Sequence, residues 1–291
     1  MAKFPNLAFL GAGQLAEALV SGLLRANLVT PEGVMMTDIR PHRLEMMRAL
    51  GVRTSAENAP ALSFAEILFL AVKPQDVPAV LDEIGPMVSS DHVVVSVAAG
   101  VPIARIQSAL PGSTPVVRVM PNTPCLVGAG MAVLALGPHA TEREEQLVLR
   151  IFNAVGRALT QPEVRLDAVT ALSGSGPAFF SVILEAFTDA VVRVGLPRDV
   201  SAELAVQTAL GTAKMLLESG RHTGQLKDMV TSPGGTAIAG LHQLERGGLR
   251  GLIMDFVVAA TERSRELGRA AETKPAGDAP SASRPAVGVK R

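Results

Sequence analysis

The 291-residue chain has no tryptophan, no tyrosine, one cysteine and no net formal charge. Each shortage excludes something. Without Trp or Tyr, the chain lacks the usual platforms on which single-stranded nucleic acid stacks. Its 27 basic and 27 acidic residues balance, which gives no footprint for nucleic acid or an anionic membrane surface. The lone Cys125 excludes an intrachain disulfide and a cysteine-rich zinc centre, and suits a reducing cytoplasm. No run reaches the roughly 20 unbroken apolar residues that cross a bilayer. The opening MAKFPNLAFLGAG carries no signal-peptide cleavage pattern. The five histidines show no metal-ligand spacing, and neither a G-x-S-x-G elbow nor a Walker loop is present. The expectation is a cytoplasmic globular protein with no metal, large enough for two domains.

What is present begins with Leu7 to Leu10, an apolar run ending in Gly11-Ala12-Gly13-Gln14-Leu15-Ala16. Leu15, Leu19, Gly22 and Leu23 then fall on one helical face. Strand, glycine turn and helix together form a G-x-G-x-x-A variant of the dinucleotide fingerprint. Gly11 makes the tight turn, Gly13 admits a pyrophosphate, and Ala16 lets helix and strand pack closely. The next strand, Val34 to Thr37, ends at Asp38, 22 residues after Ala16. An acid there bonds adenine-ribose hydroxyls and favours NADH or dual use. Arg40 and Arg43 follow, and either could pair with a 2′-phosphate, so NADPH stays open.

The alternation continues. Arg43 to Leu50 reads as helix, Gly51 to Thr54 as a short strand, and Ile67 to Val72 as a strand buried on both faces. That strand ends in Lys73-Pro74, at the carboxyl edge where open α/β sheets bind ligands. Helix 77–84, strand 93–97 with small residues Ala98-Ala99-Gly100, helix 103–110, strands 116–120 and 131–136, and helix 142–155 follow. This predicts a doubly wound sheet of seven or eight strands ending near residue 160. Lys73 reads either as a solvated edge residue or as an acid, and Asn122 either as an Asx-turn residue or as a ligand contact.

Beyond Leu166 the strand signals stop. Helices are expected at 167–172, 178–194, 200–218, 236–245 and 249–267, with Ser173 to Pro177 interrupting the first two. Several are apolar on more than one face, which requires burial. Five such helices cannot cover one another, so this half is expected to form an obligate dimer. Residues 269–291, rich in Ala, Pro, Ser and charge, read as a disordered tail. Asp228 to Leu241, DMVTSPGGTAIAGL, places a Ser-Pro-Gly-Gly turn before a helix. Unpaired N–H groups at such a helix start accept a phosphate or a carboxylate, although an ordinary capped loop would read the same way.

Seven stretches then coincide with one family: GAGQLAEAL at Gly11, FLAVKPQDV at Phe69, VSVAAGV at Val95, RVMPNTP at Arg118, DAVTALSGSGPAF at Asp167, GTAKMLLESG at Gly211 and GQLKDMVTSPGGTAIAGLHQLERGG at Gly224. Over residues 5 to 267 the chain resembles pyrroline-5-carboxylate reductases. The resemblance implies an N-terminal Rossmann domain (1–162), a C-terminal all-α dimerisation domain (163–268), a homodimer and a ring of five dimers, a decamer. It implies reduction of pyrroline-5-carboxylate to L-proline by NADPH or NADH. The cofactor is expected on Leu10, Gly11, Ala12, Gly13, Gln14 and Leu15, on Asp38 and Arg40, on Ala71, Val72, Lys73 and Pro74, and on Val97, Ala98 and Ala99. Asn58, before the third strand, is expected at the adenosine ribose or its phosphate. The substrate is expected on Ser232, Gly234, Gly235, Thr236 and Ala237, its carboxylate held by the amides of the last three. Many family members carry threonine where this chain has Ala237, so Thr236 becomes the expected substrate-orienting hydroxyl. Two rivals are a hydroxy-acid dehydrogenase, with Lys214 or Lys227 as base, and a non-catalytic dinucleotide sensor.

Overall fold

Short apolar runs punctuated by glycine and proline turns become parallel strands buried on both faces. The computed structural model describes residues 4–273, with side chains to residue 269. Its first part runs β1 (Leu7–Leu10), α1 (Gln14–Arg25), β2 (Val34–Thr37), α2 (Pro41–Arg48), β3 (Arg53–Ser55), α3 (Ala59–Phe64), β4 (Ile67–Leu70), α4 (Val77–Ile84), β5 (Val93–Ser96), α5 (Ile103–Gln107), β6 (Val116–Met120), β7 (Gly130–Leu136), α6 (Glu142–Asn153) and β8 (Gly156–Thr160). The eight strands lie in the order β3-β2-β1-β4-β5-β6-β7-β8. All neighbours are parallel except β6 and β7. The order reverses between β1 and β4, which opens a crevice at their carboxyl ends.

The period of two sends alternate residues to opposite faces. Leu7, Phe9, Ile67, Phe69 and Val95 meet α1 and α6 on one side. Ala8, Leu10, Leu68, Leu70 and Val94 meet α4 and α5 on the other. Phe9 and Phe69 stack with centroids 4.3 Å apart. Cutting Phe69 to Ala would cost roughly 3–5 kcal/mol, because both faces around it are closed.

The second part is helical: α7 (Leu166–Val169), a π segment (Thr170–Gly174), α8 (Gly176–Arg193), α9 (Arg198–Ser219), α10 (Thr223–Met229), α11 (Thr236–Arg246) and α12 (Leu249–Thr273). The expected break at Ser173 to Pro177 is instead a change of hydrogen-bond register. Ser175 N donates to Thr170 O at 2.9 Å, Ser175 keeps right-handed helical backbone angles as the cap of α8, and Pro177 is absorbed in the first turn of α8. Without a real break, Glu163–Arg193 is continuous, and by length and composition alone it could cross a membrane. Gly220, in the left-handed region, ends α9.

Several boundaries differ from the sequence expectation. β3 starts two residues later and β4 stops at Leu70, while α5 is shorter. The short α3 and α10 were not anticipated, and β8 supplies the eighth strand, for which no range was assigned. α12 runs through Thr273, so residues 269–273, expected in the tail, are helical; the rest of that tail lies outside the described residues.

The two parts differ sharply in burial. Among the described residues beyond 163, only Leu166, Ala171 and Leu226 are buried apolar side chains. Phe180, Phe187, Leu204, Leu210 and Met254 are exposed by half or nearly so. Among the described residues, these helices have no partner for that surface.

Candidate active site

Gly11 turns the chain out of β1 with φ of 103°. A Cβ there would sit 2.8 Å from the carbonyl carbon and oxygen of Ala71 and from Val72 N. The turn after β1 thus lies against the backbone at the end of β4, and only glycine fits that contact and that φ. Gly11 N donates to Thr37 O at 2.9 Å, Ala71 N to Leu10 O at 2.9 Å and Val97 N to Leu70 O at 3.1 Å. These bonds hold four strand ends in line. Gly13 caps α1 with extended backbone and no side-chain bond, and nothing lies within 4 Å of where its Cβ would be. The start of a 12-residue helix therefore faces open space with unpaired N–H groups and the positive end of its dipole. Gln14 and Leu15 form its first turn, and Ala16 is buried beneath it. A glycine cradle open to solvent at the sheet's crossover point fits a dinucleotide pyrophosphate.

Asp38 closes this crevice beside β2. Its Oδ2 accepts from Ala12 N at 3.0 Å and from Arg40 Nη2 at 2.9 Å. Its Oδ1 accepts from Arg40 N and Nε, each at 2.9 Å. Burial pushes the carboxyl upward, but these hydrogen bonds outweigh it and bring Asp38 down to about 2. Arg40 keeps half its side chain exposed, whereas Asp38 keeps 6%. Arg43 does not share that freedom. It is buried, donates Nε to Ala12 O at 2.7 Å and pairs with Glu17 at 2.6 Å. Its expected alternative role at a 2′-phosphate is therefore not available; it braces the glycine turn.

Asn58 lies after β3, not before it, and precedes α3. Thr37 Oγ1 donates to its Oδ1 at 2.5 Å, and its Nδ2 donates to Glu83 at 2.9 Å. It still lies on the crevice rim, two strands from Gly11. Lys73 and Ala99 are exposed, Val72 and Pro74 half-buried, and Val97 and Ala98 buried at the end of β5. Asn122 is neither an Asx-turn residue nor free for a ligand. Its Nδ2 donates to Ser173 O and Oγ at 3.2 Å, and its Oδ1 accepts from Met131 N at 2.8 Å. It staples the sheet to the π segment.

The second glycine turn is separate. Gly234 has φ of 65°, and Gly235 caps α11 with extended backbone. One expected donor is corrected: Gly235 N is bonded to Ser232 O at 3.1 Å, closing the turn. The open amides are those of the helix's first turn, Thr236, Ala237 and Ile238. A Cβ on Gly235 would collide with Ser232 Oγ. Beside the turn lies a cavity of about 570 Å³, lined by Lys227, Gly234, Gly235, Ile238, His242 and Glu245 among others. His222 serves elsewhere, accepting from Gly224 N at 3.1 Å as the cap of α10. That cap, completed by Gln225, was the readable signal for the unanticipated helix. Among the described residues, no hydrogen bond or described cavity joins this turn to the glycine crevice of the same chain.

These features define a dinucleotide-dependent oxidoreductase with a Rossmann-type sheet part followed by a helical part. Residues 6–100 match the family described as NADP oxidoreductase coenzyme F420-dependent, and residues 163–267 match that described as pyrroline-5-carboxylate reductase dimerisation. The pyrroline-5-carboxylate reductase of Methanosarcina acetivorans is 46% identical over 91% of this chain and 98% of its own. The structure of the Coxiella burnetii enzyme superposes with a TM-score of 0.86 at 34% identity, covering 91% of this chain and 99% of that one. The Plasmodium falciparum enzyme, solved with NADP bound, gives 0.81 at 32% identity over 91% and 98%. The chain belongs to the pyrroline-5-carboxylate reductase family. Its helical half is a dimerisation domain, which accounts for the exposed apolar faces and for the long apolar helix Glu163–Arg193.

Proposed function

We infer that the protein reduces the cyclic imine pyrroline-5-carboxylate to L-proline, using NADPH or NADH. The observation that carries this reading is the Ser232-Pro-Gly-Gly turn, whose open helix-start amides fit a substrate carboxylate beside a cavity. Reduced nicotinamide supplies the hydride when bound. The protein's own task is mostly positioning, since a protonated imine is already electrophilic. Gly11, Gly13, Gln14 and Leu15 would hold the pyrophosphate, with Leu10 and Ala12 behind them. Ala71 to Pro74 and Val97 to Ala99 would line the nicotinamide half, and Asn58 the adenosine rim. The amides of Thr236, Ala237 and Ile238 would hold the carboxylate, with Thr236 as the nearest hydroxyl.

Arg40 would decide the choice of cofactor. It is the exposed guanidinium on the rim, and swinging from Asp38 to a 2′-phosphate would serve NADPH. With NADH, Asp38 would take the ribose hydroxyls instead. Because the turn and the crevice are apart within one chain, each site would be completed by a second copy. A homodimer, assembled further into a decamer and working in the cytoplasm, suits the dimerisation domain and the single buried Cys125.

The test is steady-state oxidation of NADPH and of NADH with pyrroline-5-carboxylate. The expected result is proline formation with both cofactors. Absence of turnover with either, from a folded oligomer, overturns the reading.

A further inference from the structure

We propose that the chain carries a second ligand site, for a phosphate group, between α12 and the sheet face beside the β5 turn. A cavity of about 410 Å³ lies there, apart from both turns described above. Gly100 on the β5 turn and Gly268 on α12 create it. A Cβ on Gly268 would sit 3.4 Å from Gly100 O, in van der Waals contact, so α12 passes close to the β5 turn. This close crossing brings Arg265 and Arg269, one helical turn apart, over Arg118 of β6.

The polar groups are arranged for an anion. Arg118 is buried on the sheet, and Nη1 alone is bonded, to Glu163 at 2.9 Å. The same Glu163 oxygen also accepts Ile103 N at 2.8 Å. Asp167 lines the cavity too, with Oδ1 accepting from Ser264 Oγ at 2.7 Å. Both carboxylates therefore have protein partners. The remaining donors of Arg118 and the whole guanidinium of Arg265 have none among the described residues. A buried guanidinium with open donors, facing a second one across a cavity, favours a multivalent oxyanion. Arg118 and Arg265 bring two guanidinium charges to a space whose lining holds one carboxylate, Asp167. The cavity is larger than the ion, so the phosphate is free or the head of a small monoester.

The experiment is calorimetric titration into the full-length oligomer saturated with NADPH, which keeps phosphate out of the dinucleotide crevice. The probes are inorganic phosphate and glycerol 3-phosphate, against chloride at matched ionic strength. Saturable binding of phosphate is expected, weakened at least ~10-fold in Arg265→Glu, a loss of about 1.4 kcal/mol. Arg265 is exposed, so the variant folds. Asp167→Asn keeps an acceptor for Ser264 and removes a repelling charge, so it should tighten binding. Tighter binding of the monoester would identify the head of a larger ligand; equal binding would identify the free ion. No binding beyond chloride, unchanged affinity in Arg265→Glu, or weaker affinity in Asp167→Asn would each overturn the site. None of these outcomes depends on turnover of the imine.

Discussion

The two halves of this chain solve the burial problem in opposite ways. The sheet half closes on itself: β1, β4 and β5 are buried along their whole length, with helices on both faces. The helical half leaves Phe187, Leu204 and Leu210 in solvent and buries few apolar side chains. One half carries its own core, and the other borrows its core from a second copy. Function divides along the same line. On the proposed reading, the dinucleotide crevice would be complete within a chain, whereas the carboxylate turn would meet a cofactor only when subunits pair.

The largest effect should come from charging the borrowed core. Phe187→Asp replaces a side chain that is exposed in one chain and expected to be buried in the dimer. Central interface residues cost ~2–4 kcal/mol or more when lost, and a buried charge adds to that. Sedimentation should show dissociation with turnover abolished, while NADPH binding to the sheet half survives. An intact oligomer would break the comparison. Next comes Gly235→Leu, whose side chain collides with Ser232 and closes the turn. Turnover per unit substrate concentration should fall at least ~100-fold, about 2.7 kcal/mol, with cofactor affinity unchanged. Equal loss of cofactor binding would show that the turn is not separate.

Smaller effects sharpen the picture of the sheet half. Arg40→Ala removes a charge-assisted contact of about 1.5–3 kcal/mol, so NADPH should lose roughly tenfold or more while NADH gains. Measuring kcat/KM for both cofactors checks the swing away from Asp38. Thr141→Ala deletes the capping box of α6, in which Arg143 N donates to Thr141 Oγ1 and Thr141 N to Glu144. It should cost about 1 kcal/mol of stability in thermal melts and leave oligomerisation alone. The smallest effect concerns pH. Asp38 is held below its unfolded value, so its contribution is fully present above about pH 4. It is lost only as pH falls toward about 2, so an Asp38→Asn stability difference should be flat between pH 5 and 8.

Much of the sheet half was legible because its signals are local. Apolar runs of four or five residues ended by glycine or proline mark β1, β4, β5 and β6, and Gly11 and Gly13 carry their own geometry. Arg43 was not legible. Spacing alone left it equivalent to Arg40, and only the placement of α2 beside β2 and β3 sends it inward to Ala12 and Glu17. Asn122 was ambiguous for the same reason, since Ser173 lies 51 residues away. The Gly235 amide was misassigned because a turn's internal bond depends on backbone angles that composition does not reveal. In the helical half, Gly174 and Pro177 look like breakers, yet a π register accommodates them. The strongest inference there came from an imbalance, too much apolar surface for five helices, and it anticipated a partner rather than a contact.

The shared site can be tested most directly by complementation. Gly11→Ala forces a Cβ against the Ala71 backbone and removes cofactor binding; Gly235→Leu removes substrate binding. Each homo-oligomer should be inactive toward NADPH and pyrroline-5-carboxylate. Mixed by co-expression, the two should regain activity, because one site in each heterodimer pairs an intact crevice with the partner's intact turn. A mixed oligomer that stays inactive would place both parts of the site in the same chain and contradict the account.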